Sequence, residues 1–423
     1  MKKVLEKDQA SALLFPICWL VYMLICITKT NYAASIAYVV REGIFSKSDS
    51  GIISASFYLT YGLSQFFGAR LADRFSPYKV ITFGLFGSVL TNLILCFTNQ
   101  FWWVLIVWSL TGVIQFGVWP ATARIVAGVL IPEHRQKASV FITLAIGVGG
   151  ILSYIFVTPI LEKFGWSGVF TVNVMLLVTA VVGWLFAEKK TAPLLLTAEI
   201  TRVEEKKVEK EKPQVGFLPL CFASGLIFAA FLSFAQGMLD NGVKSWMPTM
   251  MMESYDISTA WASVQTAILY ICNISGVFLL VKVFGRMKNT VLVETCYYFI
   301  CLPACILMLF IGKIPLPAVL ILLVVSTSVT YAMTNVMVRI SAAFEPFGYS
   351  ATVSGMLKSL TCFGLVTANA GYGFLAEHFG WNAVTTLWLI VCAVAICFGL
   401  IASVLWHRFW KKQGKRAGVI WVY

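Results

Sequence analysis

Twelve stretches of this chain, at about 13–40, 49–72, 80–97, 101–126, 138–162, 168–187, 217–243, 259–281, 290–311, 318–342, 352–375 and 383–406, are apolar over long runs. A hydrocarbon core ~30 Å thick is crossed by roughly 20 such residues in a helix. Backbone groups inside hydrocarbon must satisfy one another, so runs of this length select helices. Composition agrees: 59% of residues are hydrophobic and 12% charged, against about 25% charged in an ordinary soluble domain. The expected fold is an all-α membrane protein of about twelve transmembrane helices in two six-helix bundles.

A formal charge of +13 would suggest a nucleic-acid partner for a soluble protein, but here the cations sort by side of the membrane. Alternate connections carry Arg70, Arg74 and Lys79, then Arg135 and Lys137, then Lys189 to Lys212, then Lys282, Arg286 and Lys288. The other connections hold only Arg41, Lys47, Lys163, Lys244 and Lys313. With basic residues at both chain ends, both termini are expected in the cytoplasm, and an even number of spans agrees. No nucleic-acid partner is expected. The first apolar run is too long for a cleavable signal and lacks a small-residue exit, so it is expected to remain as the first helix. The eleven cysteines sit mostly in apolar runs without metal-type spacing and read as small packing residues. No cofactor or metal is expected.

The one long polar stretch, 188–214, divides the chain into a bundle at 1–187, a cytoplasmic linker, and a second bundle with a basic tail at 215–423. The two sides resemble each other. LEKFGWSGVFTVN at 161–173 recurs as AEHFGWNAVTTLW at 376–388, an offset of 215 that also superposes Ser139 on Ser354. SDSGIISASF at 48–57 faces STAWASVQTA at 258–267 with an offset of 210. Parallel repeats of this kind place a solute site near the bilayer midplane.

Between the second and third runs the chain reads ARLADRFSPYKV, Ala69 to Val80. This resembles the signature loop of the major facilitator superfamily, with Leu71, Ala72, Asp73, Arg74 and Lys79 as the matching residues. GVIQFGVWPATARIVAGVLIPEHR at 112–135 and NGVKSWMPTMM at 241–251 are similar to segments of the organophosphate:phosphate antiporters, which carry glycerol phosphate and hexose phosphates. The resemblance implies the major facilitator fold and a cytoplasmic gate of Asp73, Arg74 and Lys79, and favours a gate or cavity role for Arg124; Arg135 is a further gate candidate, and the depth and residue type of Gln115 and Trp119 make them cavity candidates. Those antiporters hold phosphate between two basic residues, on the first and seventh helices. Lys29 aligns with the first and Asp240 with the second, so one position keeps its charge and the other reverses it. Lysine is also a point charge where arginine offers a fork. Both departures weaken the case for phosphate esters as cargo.

The residues themselves point to a solute cavity. Lys29 lies about 16 residues into the first helix, ~24 Å along it, too deep to reach either surface easily. Charges at such depth cost at least ~2.5–3.5 kcal/mol and usually face a cavity or a partner. Asp240, between Gly237 and Gly242, is the best deep carboxylate; if buried, it is expected to pair with Lys29. Lys358 is a further candidate, as are Tyr32, one helical turn from Lys29, and Tyr61. Asn31, Gln115, Gln265, Asn273, Asn335 and Asn369 can hydrogen-bond either a hydroxylated solute or a neighbouring helix.

An excess of internal cations suggests an anionic solute. No nucleotide-binding loop or nucleophile constellation suggests an enzyme. The expected function is a monomeric, inner-membrane secondary carrier of a sugar phosphate, glycerol phosphate or organic acid, its partners being that solute and the bilayer. Two alternatives stand beside it: a solute-sensing receptor, because the resemblance extends to a hexose-phosphate receptor, and a proton-coupled symporter of sugars or carboxylates.

Overall fold

The computed structural model describes residues 7–72, 75–128, 130, 132–206, 216–284 and 287–417, and every regular element among them is helical. The first part runs through α1 (Lys7–Arg41), α2 (Lys47–Ala72), α3 (Pro77–Cys96), α4 (Phe101–Gln115), α5 (Val118–Gly128) and α6 (Pro132–Lys206). The second comprises α7 (Phe217–Ser224), α8 (Leu226–Gly237), a π-helical turn (Met238–Gly242), α9 (Val243–Tyr255), α10 (Thr259–Phe284), α11 (Thr290–Met308), α12 (Leu316–Ala343), α13 (Ser350–His378) and α14 (Trp381–Ala417).

Ten helical stretches among the described residues are long and apolar enough to cross a membrane. One of them, Leu144–Ala192, spans 49 residues and contains two of the expected crossings, because α6 breaks its helical geometry at Gly165. The 26-residue α2 is not among the ten; its sequence is interleaved with serine, threonine, tyrosine and glycine. Counting Leu144–Ala192 as two and adding α2 gives the twelve expected from sequence. Helix α6 also continues through Lys206, so the polar stretch after 187 begins as helix.

The FGW repeat has a backbone reason. Gly165 and Gly380 have φ of 67° and 77°, a region that L side chains rarely enter, so glycine carries the turn in both copies. The tryptophan that follows is fixed by its indole N–H. Trp166 donates to the carbonyls of Leu95 and Thr98, both at 3.0 Å, and Trp381 donates to the Glu253 carboxylate at 2.9 Å. Helix starts are also local: Pro77 stands in the first turn of α3, where its missing N–H costs nothing. Asn289 caps α11 by accepting from the Leu292 N–H at 3.1 Å.

The chain divides into two compact units, one of Met1–Tyr38 and Leu59–Glu211, the other of Val39–Tyr58 and Lys212–Tyr423. Chain order alone had given all of 1–187 to one bundle. Residues 39–58 join the second unit through specific bonds. Arg41 donates to Thr259 at 2.6 Å, the Ser48 N–H to Glu377 at 2.6 Å, and Ser54 to the Asn369 amide oxygen at 3.0 Å. Lys47 pairs with Glu253 at 2.7 Å.

The first unit's core joins α1, α3, α5 and α6 through Cys18, Val21, Ile25, Ile81, Leu85, Ile125 and Trp184. Some of its polar groups tie helices together, as where Asn173 donates to Asn92 at 3.1 Å. In the second unit Gln236 donates to the Thr330 carbonyl at 3.2 Å and the Thr334 hydroxyl at 3.1 Å, and accepts from Thr361 at 3.3 Å. Large apolar side chains such as Phe83, Trp102, Phe156, Val182, Phe278 and Ile321 are exposed. In a chain of this composition they face lipid rather than water.

Candidate solute-binding residues

In the first unit, Lys29 on α1 and Tyr61 on α2 meet. The ammonium stands 3.8 Å from the centre of the Tyr61 ring, a cation–π distance worth ~2 kcal/mol or more where water is excluded. Tyr61 is buried while Lys29 is half-buried. Two residues further along α1 the layout changes character. Asn31 is buried, and neither its amide nitrogen nor its amide oxygen has a hydrogen-bond partner in the protein. Gln115, on α4, donates to Thr28 at 3.1 Å and Ser88 at 3.0 Å, leaving its carbonyl oxygen unpartnered.

The other aromatic candidates have packing environments. Tyr32 lies 5.4 Å from Trp108 and 6.3 Å from Trp166, ring centre to ring centre, in a buried aromatic cluster. Trp119 is half-buried against Tyr22 at 4.9 Å.

In the second unit the π-helical turn carries the charge. Asp240 sits within it, and Lys244 follows one turn later in α9; the two side chains form an ion pair and are 1% exposed. Asp240 therefore has an intrahelical partner where sequence had offered Lys29. The Lys244 ammonium also lies 4.8 Å from the Tyr270 ring centre and 5.0 Å from that of Tyr331, so α9, α10 and α12 together enclose it. The π-turn is held by its neighbour: Tyr372 donates to the Met238 carbonyl at 3.2 Å. A Cβ at Gly237 would run into the Thr361 carbonyl, so only glycine lets α8 and α13 approach this closely. Lys358 is exposed and lies within electrostatic reach of Asp240.

Lys244 was missed from sequence because the seventh apolar run ends at 243, which makes the lysine read as the first residue of an external connection. The helix instead continues to Tyr255. The internal repeat held the signal: Lys29 and Lys244 are 215 positions apart, the offset of the FGW repeat. Arg124 and Arg339 share that offset and a bonding pattern. Arg124 donates to the Phe75 carbonyl at 3.0 Å, and Arg339 to the Met287 carbonyl at 3.3 Å.

Among the amides singled out from sequence, Asn273 accepts from Thr327 and Ser328, both at 3.0 Å, and Asn369 from Ser54. These serve helix packing. Gln265 is buried with both amide atoms unpartnered, as in Asn31, while Asn335 is exposed. Of the expected gate residues, Arg124 holds the segment after α2 and Lys79 is exposed. Asp73 and Arg74 lie outside the described residues, as does the Arg135 side chain.

Comparison with known proteins agrees with this architecture. The family model "Major Facilitator Superfamily" matches residues 18–369. The "Membrane sensor protein UhpC" of Escherichia coli strain K12 is 26% identical over 164 residues, 38% of this chain and 37% of that protein. The chain thus matches little more than a third of the sensor's length. The "Glycerol-3-phosphate transporter" of Bacillus subtilis strain 168 is 23% identical over 407 residues, covering 92% of this chain and 89% of that one. A solved bacterial homologue of the human lysosomal transporter Spinster, inward-facing and unoccupied, superposes with a TM-score of 0.73 at 16% identity, over 95% of this chain and 98% of that one. The chain is a multi-pass integral membrane protein and belongs to the major facilitator superfamily.

Proposed function

We propose that the protein is a secondary transporter that moves a small anionic organic solute, a sugar phosphate, glycerol phosphate or organic acid, by alternating access. One observation carries the reading: each unit keeps a lysine inside the membrane region on tyrosine faces, Lys29 on Tyr61 and Lys244 on Tyr270 and Tyr331. A tyrosine ring carries no net charge, so an ammonium on its face keeps its own. Lys29 is the first-unit cation of this reading, and Asn31 and the Gln115 carbonyl supply hydrogen-bonding capacity for hydroxyls. In the second unit Asp240 occupies Lys244, so an entering anion competes with the carboxylate for the ammonium. Lys358 adds positive potential near that exchange, and Tyr32 and Trp119 shape the wall. Both termini are assigned to the cytoplasm by the distribution of basic residues, and the working form is taken as a monomer.

Likeness to a glycerol-3-phosphate transporter over nearly the full length of both chains supports a phosphorylated or similarly anionic cargo. A sensor is the second reading, favoured by likeness to a membrane sensor protein and by the ion pair that holds Lys244. The test is a panel of sugar phosphates, glycerol phosphate, inorganic phosphate and organic acids in proteoliposomes, comparing counterflow with uptake driven by a pH gradient. Counterflow of one anion establishes exchange, and acceleration by an inward proton gradient establishes symport. Saturable binding without flux establishes a sensor, and neither binding nor flux sinks the anion reading.

A further inference from the structure

Three thiols converge between α11 and α14, none of them among the solute-binding candidates above. Cys301 and Cys305 lie one turn apart on α11, and Cys392 comes from α14. All three are buried, and their sulfurs lie within 4.8 Å of one another. The Cys301 and Cys305 sulfurs are 3.7 Å apart, and Cys392 donates to the Tyr298 carbonyl at 3.3 Å, which fixes its sulfur one turn from Cys301. Among the described residues this is the one group of three or more histidine, cysteine, aspartate or glutamate ligand atoms gathered so closely. Sequence spacing hides it, because Cys301 and Cys305 look like an ordinary buried pair and Cys392 lies on another helix.

We propose that Cys301, Cys305 and Cys392 form a binding site for one thiophilic divalent d10 cation. With metal–sulfur bonds of about 2.3 Å, a trigonal centre needs sulfurs about 4.0 Å apart, which the three thiols reach with little movement. The donor set is all sulfur, which selects soft ions over magnesium or calcium. In a membrane interior the favoured complex is neutral, and a divalent ion reaches neutrality with two thiolates and one thiol. Two S–H bonds break as two metal–thiolate bonds form, the third sulfur donates a lone pair, and two protons leave to bulk water. No electron is transferred. An ion there ties α11 to α14.

Cadmium ion, added to the full-length protein purified in detergent without reductant, is the probe. One equivalent is expected to bind, with a first shell of three sulfurs by X-ray absorption. Release of two protons makes the apparent affinity rise about a hundredfold per pH unit while the thiols are protonated. Cys392→Ser, which conserves volume, is expected to weaken binding at least tenfold. Cys397→Ser, on the exposed side of α14, leaves it unchanged. A shell mixing one sulfur with oxygen or nitrogen, substoichiometric binding, a slope of about tenfold per pH unit, or equal affinity in Cys392→Ser each overturns the proposal. The X-ray absorption result requires no variant, so a folding defect in Cys392→Ser leaves the test intact.

Discussion

Lys244 and Asp240 form an ion pair across one turn of a single helix, at a point where that helix widens into a π-turn and both side chains are 1% exposed. Removing one partner of such a pair strands the other charge, which costs ~3–5 kcal/mol. Lys244→Met is therefore expected to lower the unfolding temperature and the yield of folded protein markedly. Lys244→Met combined with Asp240→Leu, which removes both charges, should recover most of that loss. A double-mutant cycle on thermal unfolding in detergent reads the coupling, and additive losses would show that the two side chains do not stabilise each other.

Lys29 and Tyr61 separate binding from stability in the first unit. Lys29→Ala is expected to abolish solute binding while the protein still folds. Tyr61→Leu, which removes the ring face but keeps an apolar side chain, should weaken binding roughly 2- to 30-fold, the range of ~0.5–2 kcal/mol. Tyr61→Phe should stay close to wild type. Isothermal titration with an anion that binds in the proteoliposome panel distinguishes the three, and unchanged binding in Lys29→Ala would reduce that lysine to a packing role.

Asn31 and Gln265 are buried with unsatisfied amides. Replacing an unsatisfied buried amide by an apolar group of similar shape is neutral or stabilising. Asn31→Leu and Gln265→Leu are expected to keep or raise the unfolding temperature and to weaken solute binding by about tenfold, the value of one hydrogen bond of ~1.4 kcal/mol. A clear fall in unfolding temperature without loss of binding would assign both amides to helix packing.

Glu253 accepts from both Lys47 and the Trp381 indole, joining α2, α9 and α14 at one end of the second unit. The pair is partly exposed, with side chains 19% and 29% accessible, so its contribution to stability is ~1 kcal/mol. Glu253→Gln is expected to loosen the 39–58 segment more than to unfold the protein. A cysteine placed at Ser54, which is buried and bonded to Asn369, should react with a small maleimide several-fold faster in that background. Equal labelling rates would show that Glu253 does not hold the segment.

Gly165 and Gly380 predict matched defects. Alanine at either enters a left-handed conformation costing ~1–2 kcal/mol, so each single variant should unfold a few degrees below wild type. A neutral result at either position would mean that the turn can relax.

The apolar runs disclosed the helices because hydrocarbon imposes a length requirement that sequence must meet. They misplaced a helix end where helix outlasts hydrophobicity, as at Lys244, which sits among Val243, Ser245 and Trp246 yet is enclosed by rings from α10 and α12. Lys29 was legible because it interrupts an apolar run on both sides. Tyr61 was legible as a candidate only, since nothing in sequence says that α2 turns that ring toward α1. The amides show the limit most clearly: Asn31 and Asn369 look alike in sequence, and only the packing of Ser54 against Asn369 separates a structural bond from an unfilled one. The pairing of Asp240 was misjudged for a local reason. A carboxylate and an ammonium four residues apart are neighbours on any helix, but that rule applies only once the segment is known to be helical.

The π-turn at Met238–Gly242 makes the spacing of a charge pair depend on how many residues the turn holds rather than on which residues they are. A straight α-helix advances about 100° per residue, and a π-turn absorbs one residue without lengthening the ladder. Deleting Asn241 would let the segment close into ordinary α-helix, which takes up the missing residue, so Lys244 keeps nearly the same facing relative to α8 while its spacing from Asp240 falls from four residues to three. Such a deletion removes neither charge of the pair, yet it changes the register in which the carboxylate meets the ammonium.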